Sequence, residues 1–206
     1  MLDLGTSFLA SVARHPHALA IVDGSVRLSY AEWYGVLSRT VAGFDRLGLK
    51  SGDHLVTVLQ NRWEAATIHW AFQFAGIVIT PINWRAKSDE LDFALEDSGA
   101  KALVYERISA DAVAHSKTAA RCVRVGIDTV GAGEHKFEAL IRPEASNAVA
   151  RSSPDAWSVM LYTSGTTARP KGVPRRQRAE RAAAIAHVAQ NMYASHELTL
   201  GVMPLY

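Results

Sequence analysis

The sequence predicts an α/β fold: a largely parallel sheet flanked by helices. Short β-branched runs alternate with helix-length amphipathic stretches along most of the 206 residues, the pattern of strands joined by crossover helices. Glycines stand between these units, where helices end and strands begin. Hydrophobic residues make up 49% and charged residues 20% of the chain, the balance of a packed globular core rather than a disordered or fibrous segment. The length suits one large domain or a piece of a bigger one.

The elements follow in order. Ser29-Tyr30-Ala31-Glu32 has capping-box spacing, in which serine caps the first turn and glutamate reaches back to it. Leu37, Val41, Phe44 and Leu47 then recur at helical intervals, and Gly48 is a stop. The run from His54 to Leu59 reads as a strand, Trp63 to Ala75 as a helix, and Ile77 to Pro81 as a β-branched strand. Asp89 to Glu96 reads as a helix with Leu91 and Leu95 on one face, stopped at Ser98-Gly99 before the strand Ala102 to Tyr105. A helix is predicted from Ser109 to Ala120, a strand from Cys122 to Gly126, and a short helix near Lys136 to Ile141. A polar, alanine-rich link, Arg142 to Pro154, leads to Trp157-Ser158-Val159-Met160-Leu161, which reads as a buried strand. Arg178 to Ser195 reads as an alanine-rich helix and Leu198 to Met203 as a last strand. The chain stops at Pro204-Leu205-Tyr206 directly after that strand. The expectation is therefore part of a longer polypeptide.

Several function classes drop out. The one cysteine, Cys122, excludes an internal disulfide and suits a reducing compartment, so a cytoplasmic setting is expected. The eight histidines show no metal spacing; His15 and His17 merely flank Pro16. The N-terminus carries Asp3 early and lacks a basic start, a poor secretory signal. Ala65 to Trp84 has no acidic or basic residue, but His69, Gln73, Gly76, Thr80 and Pro81 interrupt it. It reads as a buried helix followed by a buried strand, with no transmembrane segment. Trp63 and Trp70 read as core, Trp84 likewise, and Arg85 as a solvated charge. A net charge of +2 gives no argument for nucleic acid, and none is expected as a partner. The cations Arg169, Lys171, Arg175, Arg176, Arg178 and Arg181 are nevertheless crowded. They form either a solvated helix face or a local field for a phosphorylated ligand.

The chemistry concentrates in Tyr162-Thr163-Ser164-Gly165-Thr166-Thr167-Ala168-Arg169-Pro170-Lys171-Gly172-Val173. Glycines let the backbone approach a ligand, and successive N–H groups converge on an anion. The hydroxyls of Thr163, Ser164, Thr166 and Thr167 add uncharged donors, and Lys171 adds a cation. Together they suit a polyphosphate. The GxxxxGK[ST] nucleotide loop is excluded, because Pro170 and Gly172 stand at its second glycine and its Ser/Thr. That motif also needs a helix opening at the lysine, which Gly172 and Pro174 oppose.

The stretch resembles the phosphate-loop signature YTSGTTxxPKGV of the adenylate-forming enzymes, which include acyl-CoA synthetases, peptide-synthetase adenylation domains and firefly luciferase. Upstream, the segment from Leu28 to Asn61 is similar to the family's opening helix and strand, and Phe74 to Asn83 to its glycine-centred second block. Glu90 to Val104 resembles its next helix–strand unit, and Gly201 to Tyr206 the strand at its acyl pocket. The resemblance implies the first part of the family's large N-terminal domain, residues 1–206 being a truncated portion without the mobile C-terminal domain. It implies an acid–CoA ligase acting on a small-molecule carboxylic acid with ATP, Mg2+ and CoA, a fatty or aromatic acid being expected. By the same resemblance Thr163, Ser164, Gly165, Thr166 and Thr167 would contact the phosphates and Thr166 would face magnesium. Lys171 would be the catalytic residue that steadies the leaving pyrophosphate. No general base is implied, since a carboxylate is already ionised at neutral pH. The fragment alone is expected to be inactive. Ala168 stands where the family usually has glycine, and Gln177 near its usual histidine. A peptide-synthetase adenylation domain and a non-catalytic nucleotide-binding module remain alternatives; Ile82-Asn83-Trp84-Arg85 resembles the CoA ligases more.

Overall fold

The computed structural model describes residues 2–129, 131–163, 170–195 and 197–203. Helix α1 (Leu4–Arg14) opens on Asp3, whose carboxylate accepts from the Thr6 amide at 2.8 Å and the Thr6 hydroxyl at 2.6 Å. Strands β1 (Leu19–Asp23) and β2 (Val26–Ser29) form an antiparallel hairpin. Both α1 and this hairpin were absent from the sequence reading, although Gly24-Ser25 between Asp23 and Val26 is a two-residue turn signal. Helix α2 (Tyr30–Arg46) starts on the expected capping box. The Ser29 amide and hydroxyl donate to Glu32 Oε2 at 2.8 and 2.7 Å, and the Glu32 amide donates back to Ser29 Oγ at 3.3 Å.

The alternation then runs as expected through β3 (His54–Val58), α3 (Trp63–Ala75), β4 (Val78–Ile82), α4 (Ser88–Ser98) and β5 (Ala102–Glu106). The uncharged Ala65 to Trp84 stretch supplies α3 and β4. Its Ile68, Ala71, Phe72 and Phe74 are all shut off from solvent. Among the described residues no helix is long and apolar enough to cross a membrane.

The helix expected from Ser109 to Ala120 is shorter. It begins as a 3-10 turn, becomes α5 (Ala110–His115), and stops. Asp92, reaching over from α4, is the physical reason. Its carboxylate accepts from the Ser116 hydroxyl at 2.6 Å and from the amides of Thr118 at 2.8 Å and Lys117 at 3.4 Å. Those amides then have partners other than the helix ladder. Next come β6 (Val123–Ile127), β7 (His135–Lys136), α6 (Phe137–Leu140), β8 (Trp157–Thr163), β9 (Lys171–Arg176) and α7 (Gln177–Asn191). The strand expected from Leu198 to Met203 is not formed. Leu198, Leu200, Val202 and Met203 stand exposed, and among the described residues no strand pairs with them.

Among the described residues seven strands make one sheet in the order β7-β6-β5-β3-β4-β8-β9. Every neighbouring pair is parallel except β8–β9, an antiparallel hairpin at one edge. Side chains alternate between two cores. Leu55, Ile79, Ala102, Val104 and Val125 face α2 and α3, where Phe44 and Phe72 meet edge to face with centroids 4.9 Å apart. Val56, Val58, Leu103 and Tyr105 face Leu91 and Leu95 of α4 and Val113 of α5. Trp63 and Trp70 pack against the larger core as expected, whereas Trp84 belongs to neither.

Candidate functional site

Because β3, β4, β5, β6 and β8 run parallel, their carboxyl ends meet at one edge of the sheet, where open α/β folds place their ligands. Arg62 organises much of this edge. It lies before α3 and donates to Glu64 at 2.7 and 2.8 Å, to Glu106 at the end of β5 at 3.1 Å, and to Asp128 just past β6 at 2.7 Å. These bonds, led by the Glu64 pair, push the guanidinium pKa further above its ordinary value. One side chain thus ties together three loops that leave adjacent strands. Arg62 carries no motif, so sequence reading missed it. Next to these loops lies an open cavity of about 510 Å3, lined by Trp84, Arg85, Lys87, Ser109 and His115 among others. Arg85 is exposed, its guanidinium 3.7 Å from the Trp84 ring centroid.

The described ends of the hydroxyl-rich motif, Tyr162-Thr163 and Lys171-Gly172-Val173, lie in the edge hairpin. Strand β9 pairs with β8 in the register Met160↔Pro174, Leu161↔Val173, Tyr162↔Gly172 and Thr163↔Lys171. The expectation that no helix opens at the lysine holds: Lys171 begins a strand. The last pair brings Thr163 and Lys171, both exposed, face to face at the open end of the ribbon. Ser164, Gly165, Thr166 and Thr167, with Ala168 and Arg169, lie outside the described residues.

Most of the crowded cations point elsewhere. Arg175 pairs with Glu180, and Arg178 reaches Asp155 at 2.8 Å. Arg176 donates to the Asp155 carbonyl at 2.5 Å with its guanidinium 4.4 Å from the Trp157 ring centroid. Arg181 donates to Ser7 Oγ of α1 at 2.8 Å. Trp157 itself is 40% exposed beneath that arginine, so the buried part of its strand is Ser158 and Val159. These four arginines therefore brace the base of the hairpin and the start of α7. Lys171 is the described cation of the group that stands at the open end.

Two further contacts seat the hairpin. At its base, buried Gln177 accepts from the Leu4 amide at 2.9 Å and donates to buried Gln73 of α3 at 2.8 Å. Gln73 also accepts from Ser158 Oγ at 2.7 Å, so α1, α3, β8 and α7 share one polar joint. Near the open end, the Tyr162 hydroxyl donates to Asp97 Oδ2 of α4 at 2.7 Å. Burial, then Asp97, pushes the Tyr162 phenol pKa up, which keeps it a proton donor. Among the described residues no group of three His, Cys, Asp or Glu is placed to hold a metal ion.

The family profile of the AMP-binding enzymes matches residues 8–206. The chain is 29% identical over 175 residues to the long-chain-fatty-acid–CoA ligase FadD13 of Mycobacterium tuberculosis, covering 84% of this chain and 35% of the relative. It is 33% identical over 157 residues to a feruloyl-CoA synthase of Amycolatopsis sp, covering 76% of this chain and 30% of the relative. Among solved structures it superposes on the inhibitor-bound N-terminal domain of FACL13 from Mycobacterium tuberculosis. The TM-score is 0.81 at 25% identity, over 92% of this chain and 48% of the other. The chain thus spans about a third of the length of the curated relatives it matches.

Proposed function

This chain belongs to the AMP-binding enzyme family, and from that premise we propose that it is the first part of the adenylating domain of an acid–CoA ligase. The whole protein would join a carboxylic acid to ATP, giving acyl-AMP and pyrophosphate, and then pass the acyl group to the thiol of CoA. The observation that carries the reading is the register Thr163↔Lys171. It sets a hydroxyl and an ammonium side by side at the mouth of a hairpin, beside the carboxyl edge of a parallel sheet.

The described residues fit a polyphosphate. Thr163 and Lys171 are exposed and offer donors only to an incoming anion, apart from the threonine hydroxyl's lone pairs. The hairpin has no helix at Lys171, so recognition rests on backbone N–H groups and side chains rather than on a helix terminus. In this reading Thr163, Ser164, Gly165, Thr166 and Thr167 bind the β- and γ-phosphates, and Lys171 steadies the departing pyrophosphate. Magnesium, held in part by Thr166, would neutralise phosphate charge. Aligned donors around a leaving group are the larger share of what such a reaction needs. A fatty or aromatic acid is the proposed substrate, a choice supported by relatives named for a long-chain fatty acid and for ferulate. The proposed setting is the cytoplasm, where Cys122 would stay reduced.

Acid-dependent exchange of labelled pyrophosphate into ATP by the full-length protein, over a panel of fatty and aromatic acids, tests the reading. Exchange with at least one acid is expected; ATP binding without exchange on any acid points instead to a non-catalytic nucleotide-binding module. Thr166→Ala or Lys171→Ala should slow adenylate formation by ~10²-fold or more, as loss of a charge-stabilising donor does. Thioester formation from supplied acyl-adenylate should change far less. Equal losses in both half-reactions would assign these residues to folding. We place the remaining catalytic groups outside residues 1–206, so exchange by the 206-residue chain alone would contradict the domain assignment.

A further inference from the structure

We propose that Asp97 and Tyr162 form a latch that holds the Thr163–Lys171 end of the β8–β9 hairpin against α4 and thereby sets the affinity of the protein for ATP. The inference rests on the function proposed above and names two positioning residues for it.

Strand β8 lies parallel to its neighbour β4 in the register Ile79↔Val159. Beyond that point the pairs from Met160↔Pro174 to Thr163↔Lys171 form a two-stranded ribbon. Strand β9 is an edge strand with β8 as its one sheet neighbour, so the placement of the ribbon's far end draws on side-chain contacts as well as on the sheet. The alternation along β8 supplies them. Leu161 packs toward the larger core, and Tyr162 faces the opposite way, toward α4. The Tyr162 ring meets Phe93 of α4 edge to face, centroids 5.9 Å apart. One turn on, Asp97 accepts its hydroxyl at 2.7 Å.

Gly172, the partner of Tyr162 across the ribbon, makes the fit possible. A Cβ at that position would stand 2.9 Å from Met160 Sδ, 3.3 Å from Asp97 Oδ2 and 3.3 Å from Tyr162 Cζ. The motif's second glycine therefore leaves room for the tyrosine ring and the aspartate, a role distinct from contact with an anion. Tyr162 directly precedes Thr163, and Gly172 directly follows Lys171. Any shift of the latched pair passes straight to the two residues at the mouth. Half a hairpin held in one place loses less freedom when the ligand arrives.

The test is a double-mutant cycle in the full-length protein, read by calorimetric titration of magnesium-ATP and by separate KM values for ATP and acid. Tyr162→Phe keeps the ring on Phe93 and removes only the hydroxyl. Asp97→Ala removes the acceptor at an exposed helix position. Each should weaken ATP binding about 5-fold, the size of one typical net hydrogen bond, with the acid KM unchanged. The double variant should be no weaker than either single, because both break the same bond. Asp97→Asn, which still offers a carbonyl acceptor, should stay within about twofold of wild type. Additive losses, equal rises in both KM values, or wild-type affinity in both single variants would overturn the latch alone. A wild-type protein that binds no ATP would overturn the proposed function, and the latch with it.

Discussion

Two glycines near the edges of the sheet answer different demands. Gly76 ends α3 at φ +71°, and a Cβ there would lie 2.5 Å from Ser51 Oγ. Gly76→Ala should cost about 1–2 kcal/mol from the left-handed backbone alone, and more from Ser51; a urea titration reads it. Gly172 has no such backbone requirement but is crowded by side chains, so Gly172→Ala is an overpacking change of about 1–3 kcal/mol. Met160 lies nearest, and its flexible thioether can yield, which places the cost at the lower end of that range. The decisive readout is ATP affinity, which should fall with displacement of Tyr162. Arg62 ties three carboxylates together. Its partners Glu64 and Glu106 keep only 7% and 9% of their side-chain surface exposed. Removing a cation from buried carboxylates leaves charge uncompensated, so Arg62→Ala should destabilise by about 3–5 kcal/mol. Arg62→Lys should recover little, because one ammonium cannot reproduce the guanidinium fork that serves three carboxylates.

Helices α2 and α3, whose boundaries are set by their own residues, were read well from sequence, and α5, whose end is set by a distant residue, was not. Helix α2 begins where Ser29 and Glu32 cap one another, and α3 spans Trp63–Ala75 as its apolar pattern and Gly76 demand. By contrast α5 is cut short by Asp92, a residue of another helix. Asp92→Ala should release Ser116 and Thr118, with faster amide exchange at both and a lower Tm as the expected outcome. Helix α1 carried its start signal in plain view, Asp3 followed by Thr6. Asp3→Ala should cost about 1–2 kcal/mol by loss of the cap. The effect should reach α7, because the neighbouring Leu4 amide donates to Gln177. The segment from Leu198 to Met203 has the β-branched and aliphatic composition of a strand, yet a strand needs a partner, and none of the described strands lies beside it.

For the molecule as a whole, burial of imidazoles gives a pH dependence of stability. His69 keeps part of its surface exposed, but the surrounding protein strips water from its ring and pushes its pKa down from 6.5 to about 4. Desolvation lowers that of His54 as well, against the opposing pull of Asp53. Both rings are thus neutral in the folded chain at pH values where the unfolded chain is protonated. Between pH 6.5 and about 4 the unfolded state binds more protons, so the His69 contribution makes stability fall as pH falls through that window. Below about pH 4 it changes no further. Denaturant titrations of wild type and His69→Gln at several pH values should show a shallower slope in the variant; identical slopes would mean that His69 is solvated when folded. The sequence by itself determined the helix–strand alternation from α2 to β5, the hydroxyl–glycine–lysine motif and the family, because periodicity, caps and a long contiguous motif are local properties of the chain. Tertiary structure alone decided that β3 lies at the centre of the sheet and that β8–β9 turns antiparallel at its edge. It also decided that most of the crowded arginines brace the base of the hairpin, and that Tyr162 finds Asp97, 65 residues away. Such pairings arise from how packed elements face one another in space, and no local pattern of residues encodes that.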